Sequence, residues 1–229
     1  MKILHPESLI ATVDAFNEAV FFGCPWQAEA AALAAWLSTR LGKGRGYAGS
    51  FALTDEDWSR EFRLFTGEKV ETRAARSHII AEEATRLLTL IWKTTGLDSD
   101  ARRASEKRLG ARIFGPASTA TANGMYCCGK CSLSFWRCLA AGGFAEHASV
   151  LARSAATLAA ARDGAGGWKR FPFYYTLLFL AEAGPEYARN EIEYCAKRLQ
   201  RASRLLRGKP DAVSARRSRL INLLAATDA

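Results

Sequence analysis

Cys127-Cys128-Gly129-Lys130-Cys131 opens the stretch on which the reading of this chain turns. It continues through Ser134-Phe135-Trp136-Arg137-Cys138-Leu139 to Ala141-Gly142-Gly143, crosses an alanine-rich segment to Asp163-Gly164-Ala165-Gly166-Gly167-Trp168, and ends in the aromatic run Phe171 to Phe179. Apolar residues at helical spacing, broken by glycines, predict helix, loop, helix, loop, helix over Met125 to Glu182. Cysteines stand at one entrance of this unit and a glycine-tryptophan turn in its middle.

The same punctuation extends in both directions. Upstream, Ser8 to Phe22 is a first helix stopped by Gly23, and Ala28 to Arg40 a second with Leu33, Trp36 and Leu37 on one face. Thr54 offers an N-cap to a short helix, and Thr72 to Lys93 carries the stripe Ile80, Ala84, Leu87, Leu88, Ile91. Ser99 to Leu109 reads as a basic helix and Phe114 to Asn123 as a loop. Cys131 to Ala141, His147 to Arg162, Pro172 to Ala183, Pro185 to Arg207 and Asp211 to Ala226 complete the set. Strand signals are scarce, so the fold class is all-α: one domain, 1–229, of repeated helical hairpins with an insertion at 51–71.

A chain of 229 residues that is 49% hydrophobic can bury a substantial core, which excludes disorder as the default. No segment approaches the roughly 20 apolar residues of a membrane span, and the first residues do not read as a secretion signal, which predicts a cytoplasmic protein. The net charge of +9 points to acidic partners, among them nucleic acid.

Three predicted helices end in Arg-x-Gly: Arg40-Leu41-Gly42, Arg108-Leu109-Gly110 and Arg162-Asp163-Gly164. Each is followed by glycine and an aromatic, Gly46-Tyr47, Gly124 with Tyr126, and Gly167-Trp168, as an internal repeat would be. Asp163 to Trp168, followed by Tyr174-Tyr175-Thr176-Leu177-Leu178 and preceded by a helix-Gly-Gly-helix unit, resembles the repeat of prenyltransferases and squalene-type cyclases. The resemblance is best over 131–183. It implies an α/α toroid, or an open solenoid of the same hairpins, with Thr72–Lys93, Cys131–Ala141 and Pro172–Ala183 as inner helices. The Asp-x-Asp-Asp acid of the cyclases is incomplete in Asp55-Glu56-Asp57-Trp58 and in Asp98-Ser99-Asp100-Ala101, and the zinc ligands of the protein prenyltransferases do not align as a set.

Four places could carry chemistry. Cys128 and Cys131 have redox Cys-x-x-Cys spacing at a helix N-terminus, where the dipole and Lys130 favour a thiolate. Cys127, Cys128, Cys131 and Cys138 could instead hold zinc or an iron–sulfur cluster, with His78 or His147 as an outside ligand, or the cysteines pack as small apolar residues and no cofactor is bound. His78 and Glu82 are four apart on one helix, where an imidazole and a carboxylate can share a proton. Trp136, Trp168, Tyr174, Tyr175 and Glu182 could bind a partly apolar ligand. Finally, Arg189 to Arg219 is strongly basic, with Lys197, Arg201 and Arg204 on one helical face.

The favoured expectation is an enzyme of the cyclase/lyase-like or thiol- or metal-dependent kind. Its substrate is a small, partly apolar molecule in a helical cavity fringed by cysteines, and its catalytic candidates are His78, Glu82, Cys128 and Cys131. The alternatives are a nucleic-acid-binding solenoid using the 189–219 surface and a structural interaction scaffold.

Overall fold

A computed structural model describes residues 2–115, 124–145 and 147–226, and every regular element among them is helical. The helices are α1 (Leu9–Phe22), α2 (Ala30–Arg40), α3 (Asp55–Ser59), α4 (Arg73–Thr95), α5 (Asp100–Phe114), α6 (Gly129–Ala140), α7 (His147–Ala161), α8 (Phe173–Ala183), α9 (Pro185–Leu206) and α10 (Ala212–Ala226). No helix among the described residues is long and apolar enough to cross a membrane.

Their ends follow local chemistry. Ser8, Thr54, Thr72 and Ser99 each accept a backbone N–H in the first turn of the helix that follows, and Gly23 and Gly96 close α1 and α4 in the left-handed conformation. Helix α5 does not stop at Gly110 but continues to Phe114, so the second Arg-x-Gly lies inside a helix. Of the predicted loop at Phe114 to Asn123, residues 116–123 lie outside the described residues.

The other two Arg-x-Gly loops share one backbone pairing. Gly42 donates to Ser50 and Ala52 to Arg40, closing a bridge between Leu41 and Phe51; Asp163 donates to Gly167 and Lys169 to Ala161, closing one between Arg162 and Trp168. This register matches Leu41 to Arg162 and Phe51 to Trp168. The sequence motif instead aligns Arg40 with Arg162 and Tyr47 with Trp168. Insertions between the paired residues are invisible to a pattern read along the chain, because only the hydrogen bonds define which residues correspond.

Helices α1, α4, α6, α8 and α10 touch in that order, while α2 and α5 pack behind α4, α7 behind α6 and α9 behind α8. Arg216 of α10 returns to α1, where its guanidinium bonds Asp14 (3.0 and 2.7 Å) and Glu18 (2.5 Å). The five helices run in one direction. Ser8–Asp14, Ile79–Ile80, Tyr175 and Val213 line one cavity, while Val20–Phe21, Leu90, Leu178 and Leu223 line a second, further along the same helices. Helix α6 is in register with α4, since Cys131 lies by Ala75, Ser134 by Ile79 and Arg137 by Glu83.

The 51–71 segment is integral to this packing. Asp57 of α3 is buried and accepts from Ser8 Oγ (2.5 Å) and from the backbone N–H groups of Leu9 (3.0 Å) and Ile10 (3.1 Å), placing a carboxylate on the N-terminus of α1. Phe51, Leu53, Phe62, Leu64, Phe65 and Val70 all join the apolar core, which runs from Ile3 to Leu224.

Candidate functional site

Helix α4 presents two polar faces. His78 and Glu82 look towards the start of α6, and Glu83 and Arg86 look between the five co-directional helices. At the first face the parallel alignment of α4 and α6 gathers the cysteines. Cys128 is the N-cap residue of α6, and Cys131 lies one turn in, with its sulfur 4.0 Å from the Ala75 carbonyl. The Cys127 and Cys131 sulfurs and one imidazole nitrogen of His78 all lie within 4.8 Å of one another, and the Cys128 and Cys131 sulfurs are 3.6 Å apart. Gly129, between these cysteines, is demanded by packing. A Cβ there would collide with the carbonyl of Arg170, which itself holds φ 70° in the loop before α8.

Aromatic rings cover the imidazole: Tyr47 is 3.9 Å and Tyr126 5.8 Å from it, centroid to centroid. The expected His78–Glu82 pair does not form. Tyr126 donates its hydroxyl to Glu82, and both Glu82 Oε2 and His78 Nδ1 are buried without a partner among the described residues. The two side chains are neighbours in helical spacing, but Tyr126 reaches Glu82 from another part of the chain. Lys130 also departs from expectation. Its Nζ binds Glu71 (2.7 Å) and the Lys69 carbonyl (2.6 Å), away from the thiols.

Burial dominates the protonation of this face. It pushes the Glu82 carboxyl well above the ordinary range, with the Glu83 and Cys128 charges adding to the rise, and it pushes Tyr126 up as well. Tyr47 is raised to about 12 by burial and by Glu82, and His78 is lowered by burial and by Arg112. The sulfur–sulfur contact with Cys131 and the backbone N–H groups of Cys131 and Lys130 bring the Cys128 thiol down to about 5 against the opposing effect of burial. Cys131 is raised by the same contact and by burial.

The structure thus brings together His78, Glu82, Cys128 and Cys131, with Cys127, and leaves the other candidates elsewhere. Cys138 is buried in the core two turns beyond Cys131, about 10 Å along the helix, and does not join the donor group. Trp136 is also buried, stacked on Phe171 with its Nε1 bound to the Gly124 carbonyl. Trp168 donates Nε1 to Glu191 (2.7 Å), and Tyr174 lies under the Arg217 guanidinium. Tyr175 and Glu182 belong to the second face of α4.

That second face is a buried charge network: sequence reasoning named Tyr175 and Glu182 as ligand contacts but missed Arg137 and Asn17 and the pairing that joins them to Glu83 and Arg86. Arg137 is 1% exposed; it donates Nε and Nη2 to Glu182 (2.8 and 2.9 Å) and Nη1 to Glu83 and Tyr175. Arg86 donates to Asn17 (2.7 Å) and Glu182 (2.7 Å), and its Nε is buried without a partner among the described residues. Tyr175 donates to Glu83 at 2.9 Å. Burial pushes Glu182 up, but Arg137 and Arg86 overcome it and leave its carboxyl below the ordinary range. Tyr175 is raised, by burial first and then by Glu83. A cavity of about 300 Å³ adjoins one end of the network, with Glu83, Tyr175 and Asn17 in its wall; one of about 330 Å³ adjoins the other end, with Arg86, Arg137 and Glu182 in its wall. The signal was present in the sequence: Arg137 stands between Phe-Trp and Cys-Leu, and Glu182 within Phe-Leu-Ala-Glu-Ala, as isolated charges in apolar helices.

On the basic segment, Lys197, Arg201 and Arg204 are exposed on α9 as expected. Arg198 pairs with Asp163, Arg216 with Asp14 and Glu18, Arg217 stacks on Tyr174 and Arg219 donates to the Phe21 carbonyl. Comparison with protein-family models, curated proteins and solved structures finds no match to this chain.

Proposed function

We propose that this chain is an enzyme catalysing proton-transfer chemistry, of the isomerase, lyase or cyclase kind, on a small, partly apolar molecule held on the axis of a toroid-like ring of helices. Support for the ring comes from the common direction of α1, α4, α6, α8 and α10, the second layer behind them, and the return of Arg216 to α1. The observation that carries the function is the Glu83–Tyr175 pair. A carboxylate and a phenol, 2.9 Å apart and both buried, face an open cavity whose other walls include Ile10, Val13, Phe62, Ile79 and Val213.

In this reading Glu83 accepts the proton leaving a substrate carbon, and Tyr175 donates to the oxygen on which charge develops. Arg137, bonded to both, stabilises the charge as it moves, and the low-dielectric surroundings strengthen that interaction. The reaction centre thereby lies on the axis. The cysteines lie on the other face of α4, and neither axial cavity is lined by His78, Cys127, Cys128 or Cys131. A nucleic-acid-binding reading has less behind it, because Arg198, Arg216, Arg217 and Arg219 already serve contacts within the protein.

The test works with an unidentified substrate. The protein is incubated with fractionated metabolite extract in D2O, and small molecules that gain deuterium are sought by mass spectrometry. One fraction is expected to incorporate label with wild type, with loss of roughly 100- to 10,000-fold in Glu83→Gln and Tyr175→Phe. Absence of enzyme-dependent label from every fraction, or undiminished labelling by both variants, refutes the proposal.

A further inference from the structure

We propose that His78, Cys127, Cys128 and Cys131 bind one thiophilic divalent cation, zinc, in a closed site that pins the start of α6 to α4. The donor atoms come from three places: an imidazole near the start of α4, two thiols in the segment leading into α6, and one thiol in its first turn. Nothing in a solvated surface or an apolar core requires this convergence. Two sulfurs and a ring nitrogen from separate parts of the chain meet within 4.8 Å; the fourth donor, Cys128, stands outside that group with its sulfur 3.6 Å from that of Cys131.

The spacing discriminates between fates of the thiols. Two thiolates on a tetrahedral zinc, each about 2.3 Å from the metal, stand about 3.8 Å apart. The Cys128–Cys131 separation of 3.6 Å is close to that edge, whereas a disulfide requires about 2.05 Å. In the proposed site the remaining spread, including that of Cys128, closes by side-chain rotation, which the exposure of Cys127 and Cys128 permits. One ring nitrogen of His78 faces the sulfurs, and Nδ1 is buried without a partner among the described residues, so no hydrogen bond on that atom fixes the imidazole against metal binding. Arg112, close enough to depress the imidazole, offsets the net negative charge of three thiolates around one divalent ion. Four protein donors leave no open coordination position, so the metal organises the fold; the thiol protons leave to solvent on binding. The site involves neither Glu83 nor Tyr175, and it stands or falls apart from the axial reaction.

The experiment is metal analysis of protein purified without chelators, followed by zinc and cobalt(II) titration of the stripped chain. One zinc per chain is expected, together with the thiolate-to-cobalt charge-transfer and tetrahedral ligand-field bands. Cys127→Ser and His78→Ala, at positions that leave the core intact, should each weaken zinc binding more than 10-fold in competition with a chromophoric chelator. Cys138→Ser should not. Failure to bind stoichiometric zinc or cobalt, unaltered affinity in Cys127→Ser and His78→Ala, or a Cys128–Cys131 disulfide in the native protein would each overturn the assignment.

Discussion

Replacing Arg137 by methionine removes the cation around which the axial network is built while keeping an unbranched apolar stem in its place. The guanidinium makes two hydrogen bonds to Glu182 and one each to Glu83 and Tyr175. Three of the four go to carboxylates, and at about 1.5–3 kcal/mol for each charged bond the gross loss is about 5–9 kcal/mol. Part returns because the guanidinium no longer has to be desolvated, and the methionine retains packing. The net expectation is the about 3–5 kcal/mol typical of breaking a buried pair, with Arg86 left to serve both Glu83 and Glu182. For a chain of this size, that corresponds to a fall in Tm of about 6–20 °C. Urea unfolding followed by circular dichroism at several pH values provides the assay. In wild type the folded carboxyl of Glu182 lies below its unfolded value, so its contribution is present above the unfolded pKa and fades as pH falls through the folded one. In Arg137→Met burial acts on Glu182 with only Arg86 opposing it, so the gap between variant and wild type should be widest near neutrality and narrow towards pH 4. Adding Glu182→Gln should recover part of the loss, because the uncompensated charge is then gone. A loss below about 1 kcal/mol that does not change with pH would refute the claim that this network is buried and mutually compensating.

Three further outcomes follow from local geometry. Gly129→Ala places a Cβ against the Arg170 carbonyl and should cost about 1–3 kcal/mol by chemical denaturation, although alanine is the better helix former; a stabilised variant would contradict the close approach. Asp57→Ala removes the acceptor for Ser8 Oγ and for the N–H groups of Leu9, Ile10 and Thr54. It should cost about 2–4 kcal/mol, with loss of amide-exchange protection in the first turn of α1, and unchanged exchange there would show that the insertion is peripheral. Trp168→Phe keeps the ring stacked near Phe173 but strands the Glu191 acceptor, leaving it to Arg162. A loss of about 1–2 kcal/mol is expected, and a neutral result would mean that the indole hydrogen bond carries nothing.

The helices themselves were legible from sequence. Thr54 caps α3 as expected, the helices expected from Ser8, Thr72 and Ser99 start one residue later with those residues as their caps, Gly23 ends α1, and the stripe Ile80, Ala84, Leu87, Leu88, Ile91 is buried as its spacing implies. These are local properties, settled by hydrogen bonds and side chains within a turn or two of one another. Sequence likewise flagged His78 and the cysteines, because the donor types are rare and closely spaced. It could not supply partners. Helical spacing allowed Glu82 to meet His78, yet Tyr126, 44 residues away, took that carboxylate; Lys130 beside the thiols went to Glu71 instead. The true register of the two bridged loops, the capping of α1 by Asp57 and the assembly of Asn17, Glu83, Arg86, Arg137, Tyr175 and Glu182 into one network all join residues that are distant along the chain or separated by insertions. Such contacts depend on which helix faces lie against each other and in which direction they run. Periodicity names the buried face of a helix; only the packed structure decides what that face meets.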